Sequence, residues 1–107
     1  MNNKREYEYT EEEIEKRYND GLTQLCEVIA KTDDADLLQD FFHCLFTSAE
    51  LKDFVNRWLL IQEIEKGTTQ REIAKMFKMS LCKITRGSRE LKKPESAFKK
   101  MLSKIDK

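Results

Sequence analysis

The chain has 107 residues, of which 37% are charged and 39% hydrophobic, and its formal net charge at pH 7 is zero. This length predicts one domain with a modest core, and a small helical chain often completes such a core with a second copy of itself. No apolar run approaches the ~20 residues that a membrane span requires, and no signal peptide is visible, so we expect a cytoplasmic protein.

The neutral total hides two halves of opposite charge. Residues 1–46 hold 5 Lys/Arg and 12 Asp/Glu, a net of −7, whereas residues 47–107 hold 15 and 8, a net of +7. A neutral total argues against bulk attraction to nucleic acid, but a basic C-terminal half is the local footprint that a phosphate-binding surface needs. Scattered lysines usually belong to a solvated helix face; here they cluster on two adjacent helices, which favours a functional surface.

Helices are predicted over almost the whole chain, and no segment has the pattern of a strand. Residues 1–9 lack periodicity and are expected to form a mobile arm, followed by a single helical domain over residues 10–107. The first helix begins at a capping box that opens on Thr10. Its apolar stripe consists of Ile14, Tyr18, Leu22, Leu25 and Ile29.

The second and third helices carry wide apolar faces. The second is predicted to begin at Asp33 or Asp34 and to end near Phe46, and its broad apolar arc predicts burial on more than one side, as in a dimer core. A capping box at Thr47 starts the third helix, which Gly67 ends. The residues of the third helix predicted to point inward are Leu51, Phe54, Val55, Trp58, Ile61 and Ile64.

Residues 69–91 have the pattern of a helix-turn-helix, in which the second helix lies in the major groove of DNA. The first helix follows a capping box at Thr69 and ends near Phe77, and the second follows the N-cap Ser80. Lys78 takes the turn position that usually holds glycine, so a left-handed backbone there carries a cost. The alternative is an ordinary helical hairpin in a bundle. The residues predicted to be buried are Ile73, Ala74, Phe77, Leu81, Ile84 and Leu91.

The rest of the chain offers little for catalysis or metal binding. A final helix is predicted from Pro94 to about Ile105. No Ser/His/Asp or Cys/His grouping and no Gly-rich phosphate loop is visible, so we expect no catalytic residue and no enzymatic activity. The three cysteines show no metal-ligand spacing, which predicts reduced thiols, no metal site and no cofactor. These cysteines are Cys26, Cys44 and Cys82.

Three blocks of residues carry a family pattern. Thr47 is followed after nine residues by Arg57; the segment Gly67-Thr-Thr-Gln-Arg-Glu-Ile73 follows, and then Ile84-Thr-Arg-Gly-Ser88. Over roughly residues 36–105 the chain resembles the trp repressor family. The resemblance implies an all-α, intertwined homodimer of about six helices per chain. It also implies that L-tryptophan acts as corepressor, so that the protein binds operator DNA and represses genes of tryptophan biosynthesis or uptake.

The resemblance further implies a set of ligand-binding residues. Arg57 and Arg86 match two family arginines that stack on the indole, an electron-rich ring that is well held between guanidinium planes. Thr47 matches a residue whose hydroxyl reaches the ligand carboxylate, and Gly87 matches a glycine that lets the ring lie close to the backbone. Backbone carbonyls from Cys44 to Phe46 match those that receive the ammonium in the partner subunit.

Lys83 and Glu90 replace a threonine and a serine of the best-known members of that family. Glu90 lies one helical turn after Arg86, so its carboxylate is expected to meet either the ligand ammonium or Arg86 itself. We favour the ammonium. Pairing with Arg86 would instead favour a repressor of the same family with another effector, or with none.

A DNA-facing surface is predicted on the first turn of the fourth helix and on the recognition helix. Arg71 matches a family residue that reaches guanine, whereas Arg89 and Lys92 are expected mainly to contact phosphate. An alternative from another class is a helical protein–protein adaptor whose basic face meets an acidic partner. The residues assigned to DNA are Gln70, Arg71, Leu81, Cys82, Lys83, Thr85, Ser88, Arg89 and Lys92.

Overall fold

The computed structural model describes residues 8–105, which contain six helices and no strand. These residues form two compact units, residues 8–45 and residues 46–105. The all-α class and the number of helices are therefore confirmed. Of the predicted mobile arm, residues 1–7 lie outside the described residues, and the single domain over residues 10–107 stays a prediction. The helices are α1 (Glu11–Lys31), α2 (Ala35–Leu45), α3 (Ser48–Lys66), α4 (Gln70–Phe77), α5 (Leu81–Lys92) and α6 (Ala97–Leu102).

Three helices begin at capping boxes, as predicted. The hydroxyls of Thr10, Thr47 and Thr69 accept the backbone N–H three residues later, at 3.1, 3.1 and 3.2 Å. In return, the glutamate at that third position accepts the backbone N–H of the threonine. These bonds satisfy N–H groups that have no partner within the helix, so a four-residue sequence signal fixes the start of α1, α3 and α4.

Left-handed residues separate the later helices. Gly67 ends α3 with φ 95°, and its N–H donates to the carbonyl of Ile64 at 3.0 Å. Lys78 ends α4 with φ 52° and ψ 45°, which confirms the expected left-handed turn at a residue other than glycine. The turn at Gly67 separates α3 from α4, and the turn at Lys78 separates α4 from α5. Helices α4 and α5 are therefore the two short helices of a helix-turn-helix.

The core of the second unit lies where α3, α4 and α5 pack against one another, with α6 against α5. Leu60, Ile73 and Ile84 form its centre, and the last two are completely buried. The inward face predicted for α3 was partly wrong, because Leu60 is buried while Phe54 is 46% exposed. Val55 is likewise exposed. The orientation of α3 follows from the helices that cross it, which the pattern of α3 alone does not contain.

The predicted burial of Leu81 was also wrong, because its side chain is 57% exposed at the first position of α5. The final helix is shorter than predicted and begins at Ala97. Glu95, with φ 57°, and Ser96, with an extended backbone, interrupt the helix that was expected to start at Pro94. The backbone conformation of these two residues therefore moves the start of α6 from Pro94 to Ala97.

The first unit consists of two amphipathic helices, and none of residues 8–45 is buried. The apolar stripe predicted for α1 is present but open, with Tyr18 66% exposed and only Leu25 and Ile29 half-buried. Asp34 caps α2 by accepting the N–H of Leu37 at 3.1 Å. Within residues 8–105, no helix is both long enough and apolar enough to cross a membrane.

Candidate ligand groove and nucleic-acid interface

A groove opens on the second unit where α3, α5 and α6 meet. Its empty volume is about 390 Å³, including space that is open to solvent. The enclosed part of this space is only about 70 Å³, so in the single chain the groove is a shallow cleft that is smaller than the ~300–1,000 Å³ of most small-molecule sites. Apolar side chains and three cationic side chains share its wall. The lining residues are Arg57, Leu60, Ile61, Lys83, Arg86, Gly87 and Phe98.

Arg57 and Arg86 reach this groove from different helices. Arg57 lies on α3, and its Nε donates a hydrogen bond to Asp53 Oδ2 at 3.3 Å, one turn earlier on the same helix. Arg86 lies on α5, exposed to solvent. Two guanidinium groups above an apolar floor suit a flat aromatic ligand that carries a carboxylate. The structure thus brings together the two arginines that the sequence analysis assigned to the ligand.

Gly87 is buried where α5 packs against α3. A Cβ atom built on Gly87 would lie 3.5 Å from Leu60 Cδ2 and 3.5 Å from Ile64 Cδ1, which is ordinary van der Waals contact. The glycine therefore lines the groove and also contacts the helix beneath it. An added methyl group fits the packing of the two helices and would contact Leu60, itself a wall of the groove.

Asp53 and Lys83 connect α3 to α5 beside the groove. Lys83 Nζ donates to Asp53 Oδ1 at 3.3 Å, and the bonds from Lys83 and Arg57 hold the pKa of the Asp53 carboxyl below its ordinary value. Lys83 was assigned to DNA, and that role stays a prediction. In this chain its ammonium is bonded to α3. Asp53 was not predicted as a site residue, although its spacing of four residues from Arg57 was a visible signal.

Glu90 has a partner that the sequence analysis did not name. Its carboxylate accepts Lys93 Nζ at 2.7 Å, three residues further along the chain. The bond from Lys93 is the main reason why the pKa of Glu90 is lowered, and the charge of Arg86 contributes least. The pair with Arg86 is therefore not formed. The expectation that Glu90 meets a ligand ammonium stays a prediction.

Three other residues assigned to the ligand do not line the groove. The hydroxyl of Thr47 caps α3 by accepting the N–H of Glu50. Phe46 stacks on Phe54, with ring centroids 4.9 Å apart. Cys44, an exposed thiol, lies near the end of α2 in the first unit. The contacts proposed for Cys44 and Phe46 involve a partner subunit, and all three assignments stay predictions.

The residues assigned to DNA surround the start of α4 and the outer side of α5. Gln70, Arg71 and Leu81 line a shallow open depression together with two further residues of α4, Ala74 and Lys75. The hydroxyl of Thr85 lies 3.4 Å from Gln70 Oε1, which links the two helices of the helix-turn-helix. Cys82, Arg89 and Lys92 are exposed on α5, and Ser88 is half-buried. Lys75 adds a cation that was not assigned to DNA.

The arrangement of α4 and α5 defines the class of the protein as a helix-turn-helix protein. A family profile described as "Trp repressor protein" matches residues 20–106. The chain belongs to the Trp repressor family, a regulatory family of DNA-binding proteins rather than of enzymes. The match begins within α1 and therefore extends beyond the region of resemblance seen from the motifs, which started at about residue 36.

Relatives agree with this assignment and indicate a transcriptional repressor. The chain is 35% identical over 85 residues to a protein of Chlamydia trachomatis serovar L2 named "Trp operon repressor homolog". The alignment covers 78% of this chain and 90% of that protein. A protein with the same name from Chlamydia caviae is 36% identical over 88 residues, 81% of this chain and 87% of its own. No solved structure matches the chain.

Proposed function

We propose that the protein is a transcriptional repressor that binds L-tryptophan as corepressor and then binds operator DNA as a homodimer. Its targets on this proposal are genes of tryptophan biosynthesis or uptake. The observation that carries the proposal is the groove itself. It places Arg57 of α3 and Arg86 of the recognition helix around one apolar floor, on the unit that carries the helix-turn-helix.

The chemistry of the groove fits an aromatic amino acid. Leu60, Ile61 and Phe98 supply apolar contacts for an indole ring. The guanidinium groups of Arg57 and Arg86 can stack on the ring while they remain charged, and either can take the ligand carboxylate. Arg86 is exposed, and Glu90, the acid whose charge interacts with it, is bonded by Lys93, so the guanidinium of Arg86 can bond the ligand carboxylate.

The position of the groove suggests how the ligand would control DNA binding. One wall is α3 and another is the recognition helix α5, so a ligand between them favours one orientation of α5. A ligand shifts such an equilibrium only by its difference in affinity for the two orientations. Operator DNA must then tighten the binding of tryptophan by the same factor by which tryptophan tightens the binding of DNA.

The homodimer is supported by the open apolar faces of the first unit. Ile14, Tyr18, Leu22 and Leu37 are all exposed in the single chain. A second copy that covers these side chains would remove them from water. Two helix-turn-helix units related by a twofold axis would then meet two half-sites of an operator.

The test is a calorimetric titration of the protein with L-tryptophan, followed by selection from a pool of random duplexes with and without the amino acid. We expect saturable binding, and enrichment of one palindromic sequence only when tryptophan is present. Arg57→Lys should weaken tryptophan binding because a planar guanidinium is lost. Arg89→Lys, on the exposed side of α5, is the matched control and should leave tryptophan binding unchanged.

Two results would contradict the proposal. The first is the absence of measurable tryptophan binding by the full chain at millimolar ligand. The second is equal affinity for tryptophan in the presence and absence of the selected duplex. Strong salt dependence without any discrimination among duplexes would point instead to a nonspecific basic surface.

A further inference from the structure

The groove carries more positive charge than an aromatic amino acid requires. Three cationic residues line it, Arg57, Lys83 and Arg86. One carboxylate, Asp53, bonds two of them, with Lys83 Nζ at 3.3 Å and Arg57 Nε at 3.3 Å. Glu90 of α5 also interacts with the charge of Arg86, but Lys93 bonds it at 2.7 Å, so the pair of Glu90 and Lys93 adds no net charge. The groove and Asp53 therefore hold three positive charges and one negative charge.

A net positive groove acts differently on two ligands that share a ring and a carboxylate. An aromatic carboxylate without an amino group has a net charge of −1, so each nearby cation attracts it. An α-amino acid is a zwitterion, in which repulsion of the ammonium offsets much of the attraction of the carboxylate. The charges beside the groove therefore influence the choice between these two classes more than the affinity for the ring.

We propose that Lys83 and Asp53 set the charge selectivity of the groove. Lys83 strengthens the binding of aromatic carboxylates that lack an amino group. Asp53 offsets that effect and so maintains binding of the zwitterionic amino acid. Asp53 acts partly as a positioning residue, because its two bonds hold Lys83 and Arg57 at the rim of the groove. This inference rests on the proposed function only in assuming that the groove binds an indole carboxylate.

The experiment measures the affinities of the full chain for L-tryptophan and for indole-3-propionate by calorimetry, without DNA. Three variants are compared, Lys83→Met, Asp53→Asn and the double variant. Both substitutions nearly keep the side-chain shape and remove one charge each. Thermal unfolding followed by circular dichroism checks that every variant is folded.

The ratio of the two affinities is the readout. Lys83→Met should lower the preference for indole-3-propionate roughly two- to fivefold, the size expected for a charge that is partly exposed. Asp53→Asn should raise this preference by a similar factor. The double variant removes one charge of each sign and should return the ratio close to that of the unaltered protein. If either residue had a purely structural role, its substitution would change the affinities for both ligands by the same factor. The opposite shifts of the ratio in the single variants, and its return in the double variant, would then not be seen.

The outcomes separate the inference from the proposed function. If the unaltered protein binds neither ligand, the proposed function fails and the inference fails with it. If it binds L-tryptophan and the single variants leave the ratio unchanged, or move it in the same direction, the inference alone is overturned. The inference is supported if the affinity ratio shifts in opposite directions in the two single variants and if both shifts become smaller in 0.5 M salt. Salt should reduce them because it screens the interactions of exposed charges.

Discussion

At the scale of single residues, Lys78 has a left-handed backbone conformation that residues with a Cβ atom rarely adopt. Its backbone lies at φ 52° and ψ 45° between α4 and α5. Lys78→Gly should therefore stabilise the protein by about 0.5–1 kcal/mol, because glycine enters the left-handed region without a steric penalty. The measurement is chemical denaturation at fixed protein concentration.

The matched control for this prediction is Lys75→Gly, on the exposed side of α4. Glycine inside a helix costs about 1 kcal/mol, so this variant should be less stable than the unaltered protein. A loss of stability in both variants would show that Lys78 contributes something other than its backbone conformation.

Arg71 and Lys92 are both exposed cations, but they are expected to act differently on DNA. Arg71→Ala should relax the preference for one base of the selected duplex by about 1–3 kcal/mol, because a bidentate contact with guanine is lost. Lys92→Ala should weaken all duplexes alike and flatten the salt dependence. Binding to single-base variants of the duplex at two salt concentrations distinguishes the two. If Arg71→Ala instead weakened all duplexes alike and Lys92→Ala relaxed the base preference, α5 would lie in the major groove of DNA with another orientation.

Glu63 connects the end of α3 to the next turn. Its carboxylate accepts the hydroxyl of Thr68 at 2.8 Å and Lys66 Nζ at 3.1 Å, and these bonds hold its pKa below the ordinary value. A lowered pKa in the folded state means that the stabilisation is present above the unfolded-state pKa and is lost as pH falls through the folded-state pKa. Thr68→Val should raise the pKa of Glu63 and reduce the loss of stability in acid.

Carbon-detected NMR titration of the Glu63 carboxyl measures that pKa, and urea denaturation at pH 7 and in acid measures the stability. Thr32→Val is the control, because the hydroxyl of Thr32 bonds the carbonyl of Val28 rather than a carboxylate. It should leave the titration of Glu63 unchanged. An unaltered Glu63 pKa in Thr68→Val would show that Lys66 alone lowers it.

At the scale of helices, Gly87 of α5 combines two roles. Gly87→Ala should raise stability by up to about 1 kcal/mol, because alanine favours a helix and its methyl group meets α3 at ordinary contact distance. Because Gly87 itself lines the groove, the added methyl group should reduce the space for a ligand and weaken tryptophan binding. Gly21→Ala, with open space around the added atom, is the control and should change stability without changing ligand affinity. Unchanged tryptophan affinity in Gly87→Ala would separate this glycine from the ligand.

The starts of α1, α3 and α4 and the main turns were predictable from sequence because they depend on residues close together in the chain. Each capping box at Thr10, Thr47 and Thr69 is complete within four residues. Gly67 and Lys78 end their helices through bonds within a single turn. Such signals do not depend on what the helix later packs against, so sequence patterns identify them well.

The buried face of α3 and the composition of the groove could not be predicted in the same way. Leu60 is buried because α4 and α5 cross α3 at that side, whereas Phe54 faces away from them. The bond between Lys83 and Asp53 joins residues 30 positions apart, and it depends on how α5 lies across α3. Phe98 reaches the groove only because α6 packs on α5.

At the scale of the whole molecule, the open apolar faces lead to a prediction about assembly. If a second copy covers α1 and α2, the temperature at the midpoint of unfolding should rise with protein concentration, because association is then part of folding. Calorimetric scans over a hundredfold range of concentration measure this. A monomer by sedimentation at micromolar concentration, together with a constant midpoint, would exclude the homodimer.

A pair of substitutions localises the assembly surface. Tyr18→Glu places a charge on the apolar stripe of α1, where the side chain is now 66% exposed, and should weaken association strongly. Lys16→Glu changes a residue of the polar face, whose ammonium bonds only Asp20 in the described part of the chain, and should have a much smaller effect. Equal effects of both substitutions would indicate that general charge, rather than the stripe, controls association.

The distribution of buried residues along the chain also has a consequence for synthesis on the ribosome. Every buried residue of the described chain lies between Leu60 and Ser96, whereas the apolar faces of α1 and α2 belong to residues that are made earlier. A nascent chain therefore presents its uncovered faces before it can form the core around Ile73 and Ile84. Chains emerging from neighbouring ribosomes on one messenger RNA would meet through those faces while translation is still under way, so pairing of copies translated together should be favoured.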